Sequence, residues 1–225
     1  MQYELNNNVA TLTFDDGKAN AVGHQFLDDI NAGLDRADAE EVGAVILRGR
    51  EGMFSGGFDL EEVKKGPQER KALARRGFEL LIRLYGFPRP LVAASAGHGI
   101  GMGAFIIMAC DTRISSRGDF KMRLPETAIG MDLPPLLVEF AASIIAKKHL
   151  TRVALQAVPY DPELAVEAGF IDEVVEANAL DAHSTGVAEL LAQLPQAKYA
   201  ANKKAIRART LQAMTDSLEV LVASQ

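Results

Sequence analysis

Hydrophobic and polar positions change period several times along the first half of the chain. Residues 9–14 alternate and a turn at Asp15-Asp16-Gly17 follows, which predicts a strand with one buried face. From about residue 22 to 37 the apolar positions recur at helical spacing and predict an amphipathic helix. Residues 44–47 are continuously apolar, which predicts a strand buried on both faces. This order is typical of an α/β protein.

The alternation continues to the C-terminal third, which is mainly helical. The pattern predicts a glycine-rich loop over residues 50–60, a helix over 67–85, a strand over 91–96, a glycine turn over 97–103, a helix over 104–109, a strand over 112–116 and an amphipathic helix over 136–148. Asp161 and Pro162 predict the capped start of another helix, and Gly169 its end. Neither a repeat of fixed period nor a linker is visible.

Composition narrows the class of protein. The 225 residues are 48% hydrophobic and 24% charged, which is typical of a soluble globular protein. Acidic residues outnumber basic ones, 30 to 24, and the net charge of −6 argues against a dedicated nucleic-acid binder. The lone Cys110 excludes an intramolecular disulfide, and neither a signal peptide nor a membrane span is expected. We therefore expect a cytoplasmic protein without nucleic-acid or membrane partners.

Two glycine-rich segments follow predicted strands. One is residues 54–60 and the other is residues 97–103. A dinucleotide-binding G-x-G-x-x-G pattern fails in the second, because Met102 and Ala104 stand where a glycine is required. Two interpretations stay open: backbone amides that face a ligand, or a glycine turn that packs a strand on a helix. The four histidines are widely separated, so we expect no metal site.

Four ordered motifs resemble those of the crotonase (enoyl-CoA hydratase/isomerase) superfamily. They are the F-x-x-G-x-D-L loop at residues 54–60, the alanine- and glycine-rich loop and helix at 96–111, the Pro-Glu pair with its apolar-Gly step at 124–130, and the A-x-x-x-G run at 165–175. The resemblance extends from about residue 9 to 204. It implies an α/β spiral of ββα units in residues 1–185 and a helical trimerisation region in residues 186–225. It also implies a homotrimer or a dimer of trimers.

The resemblance assigns roles to individual residues. The backbone N–H groups of Phe58 and Met102 would hold the carbonyl oxygen of an acyl-CoA thioester as an enolate forms. Glu126 falls on one of the two catalytic glutamates of the hydratases, whereas Phe105 falls on the other. Without the resemblance, Glu126 would be interpreted as a solvated loop residue. A single base suffices to shift a double bond, so an enoyl-CoA isomerase is expected. Hydration by Glu126 alone, decarboxylation, hydrolysis and a catalytically silent acyl-CoA binder stay open.

The same resemblance places further residues at the thioester or at coenzyme A, which would enter as part of the substrate and not as a covalently bound cofactor. These residues are Lys18, Ala19, Ser55, Gly56, Gly57, Asp59, Leu60, Gly101, Phe105 and Lys203. Lys203 lies in an acid-free stretch, residues 190–215, although such charge runs are usually solvated. The chain ends soon after this stretch, so a helix that covers the acyl pocket is expected to be missing or to come from another subunit.

Overall fold

A computed structural model describes residues 1–223 and contains two β-sheets. The larger sheet has the order β1-β2-β3-β5-β7-β9, and the smaller has the order β4-β6-β8. Only the β1–β2 pair is antiparallel. The strands are β1 Gln2–Asn6, β2 Val9–Thr13, β3 Ala44–Arg48, β4 Gly52–Ser55, β5 Leu91–Ser95, β6 Gly97–Ile100, β7 Thr112–Ser116, β8 Met122–Arg123 and β9 Glu173–Val175.

Helices surround the sheets and fill the C-terminal third. They are α1 His24–Ala39, α2 Leu60–Lys64, α3 Pro67–Gly86, α4 Met102–Ala109, α5 Pro135–Ile144, α6 Lys147–Leu150, α7 Pro162–Ala168, α8 Leu180–Ala192 and α9 Gln196–Ala223. This order of strands and helices confirms in outline the order predicted from the sequence. None of the helices in residues 1–223 is long and apolar enough to cross a membrane.

The chain winds as a spiral of ββα units. Strands β3, β5 and β7 enter the larger sheet, and each is followed by a strand of the smaller sheet, β4, β6 or β8. Helices follow β4 and β6 and return the chain to the next turn. Because β3 and β5 lie in the middle of the larger sheet, their apolar side chains are buried on both faces. The expected spiral is thus confirmed.

Three sequence-based boundaries are wrong in detail. The predicted turn at residues 97–103 is the strand β6 followed by the start of α4, and the predicted loop at 50–60 contains β4. Gly97 and Gly99 lie in β6, which is pressed against its neighbour: a Cβ on Gly97 would lie 2.0 Å from the carbonyl carbon of Gly52. The helix predicted over residues 136–148 is divided into α5 and α6.

The ends of other elements agree with their sequence signals. The side chain of Asp161 accepts a hydrogen bond from the Leu164 N–H at 2.9 Å, and Gly169 ends α7 at a φ of +89°. The division expected between residues 185 and 186 falls inside α8 and so does not coincide with the end of an element. Helix α9 packs against α3 and α5.

Candidate active site

The loop after β4 is held by buried polar contacts. Ser55 is fully buried, and its Oγ donates to the Asn20 carbonyl at 2.8 Å and accepts from the Gly57 N–H at 3.2 Å. The Gly57 carbonyl accepts from the Val22 N–H at 2.8 Å. Gly57 has a φ of +92°, which a residue with a Cβ rarely adopts. The expected substrate residue Ser55 thus lies beneath the loop and fixes its shape.

The first turn of α4 lies directly against this loop. A Cβ on Gly103 would lie 2.3 Å from the carbonyl oxygen of Ser55, so only glycine permits this approach. A Cβ on Gly57 would likewise lie 3.4 Å from the backbone nitrogen of Met102. The two glycine-rich segments singled out in the sequence therefore meet, although they are more than 40 residues apart.

Two backbone amides face this junction without an acceptor. The Phe58 N–H follows the left-handed Gly57, and the Met102 N–H is the first of α4. Neither group donates a hydrogen bond to any atom within residues 1–223. Helix N-termini attract negative charge, because their first amides are not used within the helix. The arrangement is suited to hold an oxygen that gains negative charge.

Glu126 lies beside these amides. It begins one turn of 3₁₀ helix, Glu126–Ile129, which follows β8. A Cβ on Gly101 would lie 3.6 Å from Glu126 Oε1, and Oε2 is buried with no hydrogen-bond partner among the described residues. Burial raises the pKa of the Glu126 carboxyl above its ordinary value. A carboxyl group with one unpartnered oxygen and a raised pKa is suited to exchange protons with a bound substrate.

These groups line one cavity of about 250 Å³. Its wall is mostly apolar and comes from the β4 loop, α2, α3, the start of α4, the segment after Glu126, α5 and α9. The lining residues are Gly56, Gly57, Phe58, Leu60, Val63, Arg70, Lys71, Leu73, Ala74, Phe78, Gly101, Met102, Pro125, Glu126, Ile129, Met131, Asp132, Pro134, Leu137 and Leu221. Seven of the predicted site residues are therefore brought together: Gly56, Gly57, Phe58, Leu60, Gly101, Met102 and Glu126.

Phe105 is a core residue and does not line this cavity. Its side chain is fully buried, and its ring lies 6.2 Å from the ring of Phe140, centroid to centroid. It lies in the second turn of α4, and all eight residues of that helix are buried. The Phe105 ring thus packs in the core behind the wall, and its expected contact with substrate stays a prediction.

Three further predicted residues lie around the site and not in its wall. Asp59 caps α2, since its Oδ1 accepts from the Glu61 N–H at 2.9 Å. The Ala19 carbonyl accepts from the Gly56 N–H at 2.8 Å, which anchors the loop from behind. Lys18 is exposed on the neighbouring turn. These positions support the loop, and only the exposed Lys18 ammonium is placed to meet a ligand from solvent.

Lys203 lies in a buried ion cluster away from the cavity. Its Nζ contacts Asp111 Oδ2 at 2.7 Å, and Arg207 Nη2 contacts Asp111 Oδ1 at 2.9 Å. The Leu91 N–H also donates to Asp111, at 2.8 Å. Burial lowers the pKa of Lys203, although Asp111 opposes that effect. In the described chain the Lys203 ammonium is paired with Asp111, and its expected contact with a coenzyme A phosphate stays a prediction.

Sequence reasoning missed several residues of the wall. Arg70 and Lys71 come from the first turns of α3, Asp132 follows the 3₁₀ turn, and Leu221 comes from the end of α9. Leu221 shows that a helix of this same chain reaches the cavity, which corrects the expectation of a missing or borrowed cover. The only sequence signal was the apolar spacing of α9, which does not identify its partner.

A second cavity, of about 510 Å³, lies near Lys18 but lacks the free amides. Its wall contains Asp15, Asp16, Asp28, Asp29, Asp59 and Glu62 and excludes Phe58, Met102 and Glu126. No group of His, Cys, Asp or Glu side chains within residues 1–223 is arranged to hold a metal ion. His98 accepts a hydrogen bond from the Lys121 N–H at 3.0 Å, in line with a structural role. The smaller cavity, with Glu126, is therefore the candidate active site.

Comparison with known proteins places this geometry in a family. The model of the enoyl-CoA hydratase/isomerase family matches residues 4–222. The chain belongs to this family. Its fold matches that of a solved enoyl-CoA isomerase from Mycobacterium tuberculosis with a TM-score of 0.94 and 33% identity, and the match covers 100% of this chain and 98% of that one. The resemblance to the crotonase superfamily and the expected fold class are thus confirmed.

Curated relatives include proteins named for both reactions. A probable enoyl-CoA hydratase of Bacillus subtilis is 36% identical over 126 residues, which is 55% of this chain and 48% of that protein. The human mitochondrial enoyl-CoA delta isomerase 1 is 26% identical over 171 residues, which is 74% of this chain and 57% of that protein. The chain thus spans about half the length of these two relatives. Family membership does not by itself determine the reaction.

Proposed function

We propose that this family member is an enoyl-CoA isomerase that shifts a double bond through a thioester enolate. The observation that carries the proposal is the placement of Glu126, whose Oε2 is buried with no partner among the described residues and whose carboxyl lies beside Gly101, next to the Met102 amide. Phe105 supplies no second acid at the position where the hydratases have one. One base is enough for a proton shuttle, whereas hydration usually needs a second group.

The reaction follows from these positions. Glu126 removes a proton from carbon 2 of a 3-enoyl-CoA, and the negative charge moves to the thioester oxygen. The N–H groups of Phe58 and Met102 donate hydrogen bonds to that oxygen and stabilise its charge. Losing one such donor typically raises the activation free energy by about 3 kcal/mol. The protonated Glu126 then returns the proton to carbon 4, and the product is a 2-enoyl-CoA. Coenzyme A takes part only as a portion of the substrate.

Hydration is the second candidate function, and Asp132 favours it. This carboxylate lies in the same cavity wall as Glu126, so two carboxyl groups face one substrate space. One would activate water and the other would deliver a proton to carbon 2. The B. subtilis relative named as a probable hydratase is in line with this alternative.

The ratio of two rates separates the candidates. We expect the wild type to convert a 3-enoyl-CoA to the 2-enoyl-CoA faster than it hydrates the 2-enoyl-CoA of the same chain length. Asp132→Asn is the informative variant, because an isomerase that uses Glu126 alone keeps its rate. Hydration faster than isomerisation, together with loss of hydration in Asp132→Asn, would establish the hydratase. Binding of CoA thioesters without either reaction would identify a silent binder.

We also propose a homotrimer or a dimer of trimers in the cytoplasm. Large apolar side chains are exposed beside the cavity: Ile129 belongs to its wall, and Met131, Val138 and Leu155 line one neighbouring surface cleft. An exposed apolar patch of this kind is typical of an interface. Analytical ultracentrifugation of the wild type and of Leu155→Ser tests the assembly, since a monomeric wild type would refute it.

A further inference from the structure

Two cations lie in the wall of the cavity, which is mostly apolar and also contains Glu126 and Asp132. Arg70 and Lys71 both line it, and both are exposed on α3. Arg70, Ala74 and Phe78 are spaced by four residues, so they share one face of the helix. Eight residues of helix rise about 12 Å, which separates Arg70 from the level of Phe78. Phe78 packs against the Phe58 ring at 6.3 Å between centroids. The cations therefore lie about two turns from the free amides.

The other arginines of α3 already have carboxylate partners. Arg75 contacts Glu79 at 2.9 Å, Arg76 contacts Asp28, and Arg83 contacts Asp35. Arg70 and Lys71 form no ion pair with any residue in the described part of the chain. Arg70 and Lys71 thus lack the carboxylate partners that the other arginines of α3 have, and both line the cavity.

The remaining charges of the wall do not neutralise this pair. Asp132 and Glu126 are the two carboxyl groups of the cavity, and neither lies within 4.0 Å of a side-chain nitrogen of Arg70 or Lys71 in residues 1–223. The other lining side chains are apolar apart from backbone groups. Arg70 and Lys71 carry positive charge with no partner, so an anionic group that reaches them would form charge-assisted hydrogen bonds, which are weakened by water because both side chains are exposed.

We propose that Arg70 and Lys71 bind an anionic group of the thioester substrate, and that this contact selects among substrates. The inference rests on the proposed function, since it takes the substrate to be an acyl-CoA. The shared chemistry is a phosphate or carboxylate oxygen. It belongs either to coenzyme A or to a carboxylate at the far end of the acyl chain.

The test compares two double variants. Arg70→Ala/Lys71→Ala removes the proposed contact. Arg75→Ala/Lys64→Ala removes the same charge, one cation from α3 and one from the neighbouring α2, but neither residue lines the cavity. Each variant is assayed with 3-enoyl thioesters that end in a methyl group or a carboxylate, on coenzyme A or on pantetheine, which lacks the phosphates. Because both cations are exposed, water weakens the contact, and we expect kcat/KM to fall by about tenfold for thioesters that carry the bound anion.

The pattern of losses identifies the anion. A loss confined to the carboxylate-ended substrates, on either carrier, assigns the acyl carboxylate. A loss for both acyl groups on coenzyme A, absent on pantetheine, assigns a phosphate. Equal values for the two double variants on all four substrates would overturn the inference.

Failure of the proposed reaction is a separate outcome. If the wild type turns over none of the thioesters, calorimetric dissociation constants of the four matched saturated thioesters replace kcat/KM in the same comparison. The Arg70/Lys71 variant should then bind the anion-bearing thioesters about tenfold more weakly than its control does. Equal dissociation constants, or no binding of any thioester by the wild type, would overturn the inference in that case.

Discussion

Two carboxyl groups near opposite ends of α4 differ in whether they have polar partners inside the protein. Asp111 follows the end of the helix and receives contacts from Lys203, Arg207 and the Leu91 N–H. Glu126 lies near the beginning of the helix, and its Oε2 has no partner in the described chain. A paired buried charge holds the fold, whereas an unpaired one costs stability. Asp111 thus joins α9 to the core through ion pairs, whereas Glu126 is the residue to which the proposed function gives the role of base.

The largest expected effect on stability comes from removing the charge of Asp111, the carboxyl group that has cationic partners. Asp111→Asn leaves two buried cations facing a neutral amide, so we expect the free energy of unfolding to fall by about 3 to 5 kcal/mol. Urea denaturation at pH 7 measures this change. The control is Asp119→Asn, whose exposed partner Lys121 lies at 2.8 Å, and it should change stability by less than about 1 kcal/mol. Similar values for the two variants would contradict the role of the cluster.

The next largest effect is expected on turnover, when the carboxyl group of Glu126 is replaced by an amide. Glu126→Gln should lower turnover at least about a hundredfold, the usual scale for a general acid or base, while thioester affinity is kept. Glu139→Gln, on the exposed face of α5, is the matched control. Near-normal turnover in Glu126→Gln would remove the residue from the mechanism.

The raised pKa of Glu126 adds a pH signature to this variant. Below its pKa the carboxyl is protonated and cannot act as a base, so wild-type kcat/KM, which reports the free enzyme, should fall on the acid side at a pH above the ordinary glutamate pKa of about 4.3. Because the folded-state pKa is raised, ionisation destabilises the fold. The stability of Glu126→Gln relative to wild type should therefore rise as pH increases through that window. A constant difference between pH 4 and 8 would contradict the shift.

The smallest effect is expected when Lys203, one of the two cations that contact Asp111, is replaced. Lys203→Met keeps the packed side chain, and Asp111 keeps Arg207 and the Leu91 N–H. We expect a loss of about 1 kcal/mol or less by urea denaturation, well below that of Asp111→Asn. The KM for CoA thioesters should stay at the wild-type value. A clear rise in KM would restore the phosphate contact that the buried position argues against.

Local patterns predicted the parts of the fold that depend on neighbours in sequence. The apolar run before Arg48 became a central strand, and Asp161 caps the helix as expected. The strand β6 was missed because glycine has no apolar side chain to reveal the period. What identifies Gly97 as a strand residue is the close approach of Gly52, which is 45 residues earlier.

The candidate site was predictable only as far as the motifs reached. Phe58, Met102 and Glu126 lie in motifs and converge on one cavity. Burial of the Phe105 ring against Phe140 depends on a helix with no motif, and so does the contribution of Leu221 to the wall. Such contacts join segments far apart in the chain, so no local period reports them.

The free amides of Phe58 and Met102 belong to the main chain, and this bears on how the protein can evolve and be engineered. No exchange of side chain other than to proline deletes a backbone N–H. Side chains of the wall other than those at the constrained glycines, such as Gly57, can therefore vary one at a time while both backbone N–H groups are kept. Selection for a new substrate can change the side chains of the cavity wall while the N–H groups of Phe58 and Met102 stay in place.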